Sequence, residues 1–381
     1  MTRHVLDAAA LEAITQTNRR AREVYESILE AEQPLQLALL RREMEISMEH
    51  DLLVRFCGSL FLPGGELATT TGYQILCNEP LAELELDPTL ARPPKCFDLL
   101  LLNETLGSVL AVEVKIDHST EFHGFEGFVQ ETWAKADDLL EWQGYLAKQV
   151  GAEIGSFEIV MCVKGGQEQR AAASLARLER NVSNKGGAPP HLLKLWYCDT
   201  HHGGRLQLFS SMDRAKSHWS RHSSEELTRR LVHDGVEVSG SEMATVFYKS
   251  PPACVASEFV GSLVELQAQA KEEVDLAASI SFDEGEVVRY YEERLNHYQA
   301  RPLAERMAKT ALTALLCAEL VEEREMRYAL KGAAIRPRTA ILATREAILA
   351  QRADECARDK AAAEVIRRFS TTEPLLFPYQ E

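Results

Sequence analysis

The stretch Ala111-Val112-Glu113-Val114-Lys115-Ile116-Asp117 places two opposite charges at alternate positions of an apolar run. Alternation at period two is the pattern of a half-buried strand. Two readings are open: Glu113 and Lys115 form the wet face of an ordinary strand, or they point together into a site. An earlier run, Phe97-Asp98-Leu99-Leu100-Leu101-Leu102, begins with a carboxylate just before four leucines. If the two runs pair as a hairpin, Asp98 comes near Glu113, and Lys115 shares the face of Glu113. Two carboxylates in one small volume repel unless a cation bridges them. A hard divalent ion, Mg²⁺ or alternatively Mn²⁺, takes oxygen ligands and keeps several waters. One such water serves as a nucleophile toward a phosphodiester while the ion steadies charge on the phosphate. The Val114 carbonyl, lying between the two side chains, would add a neutral ligand. Lys115 would orient the water, help deprotonate it, or neutralise developing charge. An exposed Glu–Lys pair, by contrast, is worth at most about 1 kcal/mol.

The elements that must hold these residues follow from the surrounding pattern. Residues 6–34 read as one or two amphipathic helices, and 34–60 as another, broken by Leu62-Pro63-Gly64-Gly65-Glu66. Gly72 to Glu79 and the following Glu83-Leu84-Glu85-Leu86 suggest strand or hairpin material. Residues 96–104 and 109–117 are strands joined by a short turn, 129–150 a helix, 156–166 a strand ending in glycines, and 168–182 a helix with a basic face. Residues 192–200 form a further strand, with Gly203 to Ser211 as its partner. The order helix, strand, strand, strand, helix, strand, helix, strand predicts a mixed α/β layer with a central sheet and flanking helices. From 256 onward, periodic Ala/Leu/Glu/Arg segments predict a mainly helical C-terminal domain. The expected organisation is an N-terminal helical segment (1–33), an α/β domain (34–212) and the helical domain (213–381).

Asp98, followed by Glu113-Val114-Lys115, in this order of elements resembles the PD-(D/E)XK nuclease superfamily of restriction-endonuclease-like enzymes. The resemblance covers roughly residues 40–200, with Phe97 standing where the family's motif has proline. It implies a restriction-endonuclease-like core, with Asp98 and Glu113 binding the metal and Lys115 assisting hydrolysis. It implies a Mg²⁺-dependent DNA endonuclease acting in restriction, phage defence or repair. A catalytically inactive protein of the same fold is the alternative. Members place a Glu on the helix before the sheet; Glu49 is the candidate, with Glu45, Asp51 and His50 as competitors. RecB-like members place a Gln and a Tyr on the helix after the Glu-x-Lys strand. Gln143 and Tyr145 match in part, and Gln130 is a rival. A double-strand cutter needs two active sites, so a homodimer is expected.

The bulk composition bears on partners. The formal net charge is −16, which argues against holding nucleic acid by bulk charge. Residues 1–130 carry 10 Lys+Arg against 21 Asp+Glu, whereas 164–230 carry 12 against 6. Lys164, Arg170, Arg177, Arg180 and Lys185 are therefore the candidate phosphate contacts to DNA. The eight cysteines are never closer than 19 residues, so there is no zinc-ribbon spacing, and most read as buried, reduced thiols. Cys198-Asp-Thr-His201-His202 holds metal-capable side chains but lacks a second pair. Gly165-Gly166 reads as a strand-end turn rather than a phosphate loop. With no run near the ~20 apolar residues of a membrane helix and no secretory signal at the N-terminus, a cytoplasmic protein without membrane contact is expected.

Overall fold

The computed structural model describes residues 11–76, 81–118, 124–200, 206–210, 218–238, 249–270, 280–295, 301–324, 327–331 and 339–369. Two compact units are present: one comprises 46–250 with 284–309, the other 1–45 with 251–283 and 310–381. These divisions differ from boundaries at 33/34 and 212/213. Which face a helix buries against which partner is not written in its own periodicity. Among the described residues no helix is long and apolar enough to cross a membrane.

The first unit is built on a seven-stranded mixed sheet whose spatial order equals its sequence order. The strands are β1 (Gln74–Leu76), β2 (Leu99–Asn103), β3 (Ser108–Lys115), β4 (Ser156–Lys164), β5 (Leu193–Thr200), β6 (Leu206–Ser210) and β7 (Val236–Val238). β3, β4 and β5 run parallel, and the remaining neighbours are antiparallel. Parallel neighbours need crossovers. Helices α4 (Gly124–Glu141) and α5 (Gln143–Val150) supply one, and α6 (Glu168–Asn184) the other. Preceding them are α1 (Arg19–Ser59), α2 (Glu66–Thr71) and α3 (Ala82–Glu85). The Glu-Leu-Glu-Leu read as strand material is thus largely helix α3. Four alternating residues are too few to separate the two periods.

α1 continues through Pro34, where the sequence suggested a break. An internal proline removes one helix hydrogen bond, a cost that the buried residues farther along the same helix offset. On one face of the sheet, Leu53, Phe56 and Cys57 of α1, with Leu60 and Phe61 just after it, pack with Leu99, Leu101, Val112, Val114, Val160 and Trp196. β2 is buried along its whole length, which explains its unbroken leucines: a strand covered on both sides has no wet face to alternate. The β2–β3 turn places Gly107 at φ +55, with the Glu153 carbonyl 3.3 Å from where a Cβ would stand. β2 and β3 pair with Leu99 opposite Val112, so the next position outward sets Asp98 opposite Glu113.

The second unit contains α8 (Pro252–Ala270) packed on α11 (Ala340–Phe369) and a three-stranded antiparallel sheet. Its strands are β8 (Ser281–Phe282), β9 (Val321–Arg324) and β10 (Arg327–Leu330), in the order β8-β10-β9. In sequence, α9 (Glu284–Leu295), which belongs to the first unit, and α10 (Arg301–Cys317) lie between β8 and β9, while α7 (Glu225–Arg229) precedes β7 in the first unit. The small sheet was not expected inside Glu319-to-Leu330, which reads as a continuation of α10. That helix stops because Glu319 adopts φ +54 and the Leu320 N–H bonds the Leu315 carbonyl. This is a C-terminal cap formed without the usual glycine.

Candidate active site

The hairpin brings Asp98, Glu113, Val114 and Lys115 together at one end of β2 and β3. Asp98 lies in the segment entering β2 and is 5% exposed. Its Oδ2 accepts a hydrogen bond from the Val114 N–H at 2.9 Å. His50, on α1, places Nε2 3.2 Å from the same oxygen and 3.1 Å from the Val114 carbonyl. Both neighbours are acceptors, so Nε2 carries the proton. Burial pushes the Asp98 carboxyl upward. The hydrogen bond and charge of His50, with the charges of Lys135 and Lys249, outweigh that and hold it at about 2. Burial pulls His50 down, but its bond to Asp98 and the Asp98 and Glu113 charges leave it above its ordinary value.

Glu113 is 2% exposed. The sequence suggested that it faces an open cleft; instead α4 covers it. Lys135 of α4 donates to Oε1 at 2.6 Å, and Lys115 lies 2.8 Å from the same oxygen. Oε2 is buried with no hydrogen-bond partner. Burial raises the Glu113 carboxyl first, the Asp98 charge raises it further, and the two lysines oppose them without reversing the shift. Lys115 is shared with Glu131, 2.9 Å away, and lies over the Phe128 ring at 5.4 Å. His50, Val114, Lys115, Phe128 and Lys249 border a cleft of about 300 Å³, so the site communicates with solvent on the Lys115 side.

The other candidates lie elsewhere. Glu49 pairs with Lys164 and faces His118 at 3.7 Å. On the helix before the sheet, His50 rather than Glu49 reaches Asp98. Gln143 donates to the Ile154 carbonyl at 2.7 Å and so ties α5 to the segment entering β4. Tyr145 accepts from Gln149, and Gln130 is exposed. Of the basic residues, Lys164 is engaged by Glu49, Arg170 by Asp117 at 2.6 Å, and Arg177 by Glu126. Arg180 and Lys185 are exposed on and just after α6. Asp117 is buried. Its carboxylate bonds Arg170, its N–H donates to Gln167 Oε1 and its carbonyl accepts from Gln167 Nε2, which latches the start of α6 to the end of β3.

Lys135 is the residue the sequence reading missed. The apolar stripe Val129, Trp133, Ala136 and Leu139 is buried, and Lys135 falls within it. A cation on the buried stripe of a helix is unusual and was a legible signal. His201 and His202 lie outside the described residues; Cys198 instead meets Cys57 and Cys162. Comparison of the chain with protein-family models, curated proteins and solved structures finds no match.

Proposed function

We propose that the chain is a metal-dependent deoxyribonuclease of the PD-(D/E)XK type, an endonuclease of restriction, phage defence or repair. The observation that carries this reading is the pair Asp98 and Glu113, set opposite each other on a hairpin, with Glu113 Oε2 buried and unpartnered. A bare buried carboxylate oxygen is costly and suits a cation ligand. Asp98, Glu113 and the Val114 carbonyl would hold Mg²⁺ or Mn²⁺. Such an ion, when bound, supplies a water of lowered pKa and neutralises charge on the scissile phosphate.

The chain's own groups do the rest. The His50 N–H bonds Asp98 Oδ2 and Val114 O, two oxygens that would hold a cation, and would have to give them up for one to bind. Lys115, at the cleft mouth, meets an incoming phosphate. Lys135 stays behind Glu113 and fixes the direction of its carboxylate. The order of helix α1, strands β1 to β3, helix α4 and strand β4, with β3 parallel to β4, supports the same reading. The phosphate backbone of DNA would reach the cleft beside Lys115 and Lys249, with Arg180 and Lys185 as outlying contacts.

One feature favours a second reading, a nuclease-fold binding module that does not cut. His50 already satisfies Asp98, and two ammonium groups already sit on Glu113 Oε1. Plasmid and single-stranded DNA incubated with Mg²⁺ or with EDTA separate the two. Mg²⁺-dependent cleavage lost in Asp98→Ala and Lys115→Ala supports the nuclease. Cleavage surviving both substitutions refutes the site, and DNA binding without cleavage under either metal supports the module.

A further inference from the structure

Three sulfurs meet on the α1 side of the sheet. The Sγ atoms of Cys57, Cys162 and Cys198 are 3.8, 3.7 and 3.7 Å apart. They come from α1, β4 and β5, and each residue is at most 1% exposed. The strand register explains the convergence. Cys162 stands opposite Val114 on one neighbour and Trp196 on the other, and Cys198 stands opposite Lys164. Both thiols thus share the face on which Cys57 packs.

Thiols in simple contact reach similar separations, but contact alone does not require three nearly equal distances around one point. Tetrahedral bonds of about 2.3 Å from one ion place its sulfurs about 3.8 Å apart. The three sulfurs therefore stand at coordination spacing without rearrangement. Burial argues against redox sensing, since an oxidant in solution has no access to these sulfurs. Ion uptake during folding meets no such barrier. Among the described residues no fourth His, Cys, Asp or Glu joins the three. An all-sulfur set of three selects soft ions, Cu(I) or Zn²⁺, over the hard ions suited to carboxylates.

We propose that Cys57, Cys162 and Cys198 form a structural site for a soft, thiophilic cation, acquired during folding, that staples α1 to β4 and β5. On binding, three S–H bonds break, three protons pass to solvent and three sulfur–metal bonds form, with nothing oxidised. The site is independent of any chemistry at Asp98 and Glu113. Its effect there is positional, because Cys57 lies about two turns along α1 from His50.

The test uses the full chain, unfolded in denaturant with reductant and refolded with Zn²⁺, with Cu(I), or with neither. Bound metal is measured by elemental analysis after dialysis, and stability by urea unfolding. The expected result is about one equivalent per chain of one of the two ions, with an unfolding midpoint raised only by that ion. Cys162→Ala and Cys198→Ala should lose the metal, whereas Cys254→Ala, at a buried thiol outside the cluster, should keep it. Co²⁺ refolding should add a sulfur-to-metal charge-transfer band in the native chain and in Cys254→Ala only. Native chain that refolds with less than about a tenth of an equivalent of either ion, and with an unchanged midpoint, overturns the proposal. That result is readable even if the cluster variants do not fold.

Discussion

Replacing Lys135 by Met tests whether the site is held together by charge. The substitution keeps most of the side-chain stem and deletes the ammonium 2.6 Å from Glu113 Oε1. Breaking a buried pair costs about 3–5 kcal/mol when the remaining charge has no escape. Glu113 has one, because it can take a proton. At pH 7, protonating a carboxyl of ordinary pKa 4.5 costs about 3 kcal/mol at 1.36 kcal/mol per unit. The loss is therefore capped near that value, and Lys115, still 2.8 Å away, brings it toward about 2 kcal/mol. At pH 5 the cap falls below about 1 kcal/mol. The sign follows from linkage: removing a cation raises the folded pKa of Glu113 further above its unfolded value. The protonated folded form is then fully stable below the unfolded pKa and loses stability as pH rises through the folded one. Urea unfolding of native chain and Lys135→Met at both pH values measures the difference. The same substitution in a Glu113→Gln background should cost far less than in the native chain. A loss equal at pH 5 and pH 7, or unchanged by Glu113→Gln, refutes the electrostatic account.

Three further outcomes are expected. Asp98 titrates at about 2 against an ordinary 3.8, so its contribution, about 2 kcal/mol, is present above pH 3.8 and drains as pH falls toward 2; in His50→Leu that acid-side loss should shrink, as urea midpoints at pH 6 and pH 3 will report. His222 accepts the Trp196 indole N–H on Nε2 and donates from Nδ1 to Glu158 at 2.7 Å, and burial depresses it below 6.5. Its stabilisation is complete above pH 6.5 and is lost as pH falls below that value, by at most about 1.4 kcal/mol per unit, a slope that His222→Asn should remove from the unfolding midpoints between pH 7 and pH 5.5. A Cβ at Gly165 would stand 2.9 Å from both the Cys198 carbonyl and the Asp199 Cα; Gly165→Ala should therefore destabilise by about 1–3 kcal/mol in thermal unfolding, whereas Gly127→Ala, which meets nothing within 4 Å, should not.

The hairpin was legible because its information is local. Apolar runs of the right length, a short turn and period-two alternation fix Leu99 opposite Val112, and Asp98 and Glu113 follow. The α4 crossover and β4 were legible for the same reason. What the pattern could not supply was the identity of the covering face. Glu113 alternates like a solvent-facing residue, yet α4 lies over it, and only Lys135 on the buried stripe of that helix betrayed the contact. Adjacent positions on a helix differ by about 100°, so whether Glu49 or His50 turns inward depends on the rotation of α1 about its axis. Packing of Leu53, Phe56 and Cys57 sets that rotation. The cysteine cluster was invisible because its members are 105 and 36 residues apart and share no local motif.

The basic segment shows how net charge misleads when read along the chain. Lys164, Arg170 and Arg177 are three of the twelve cations of residues 164–230, yet each is matched in space by Glu49, Asp117 or Glu126. All three acids come from the acidic first third of the sequence. The excess positive charge of one segment and the excess negative charge of another are thus, in part, the two halves of intramolecular pairs that fasten α6 and β4 to their neighbours. The same matching occurs at the site with the opposite consequence. There, three cationic side chains surround two carboxylates, but their hydrogen bonds fall on Asp98 Oδ2 and Glu113 Oε1 and leave Glu113 Oε2 bare. Under the proposed function, the bare Glu113 Oε2 is the position that a cation would fill, and it carries that reading further than the presence of a Glu-x-Lys sequence does.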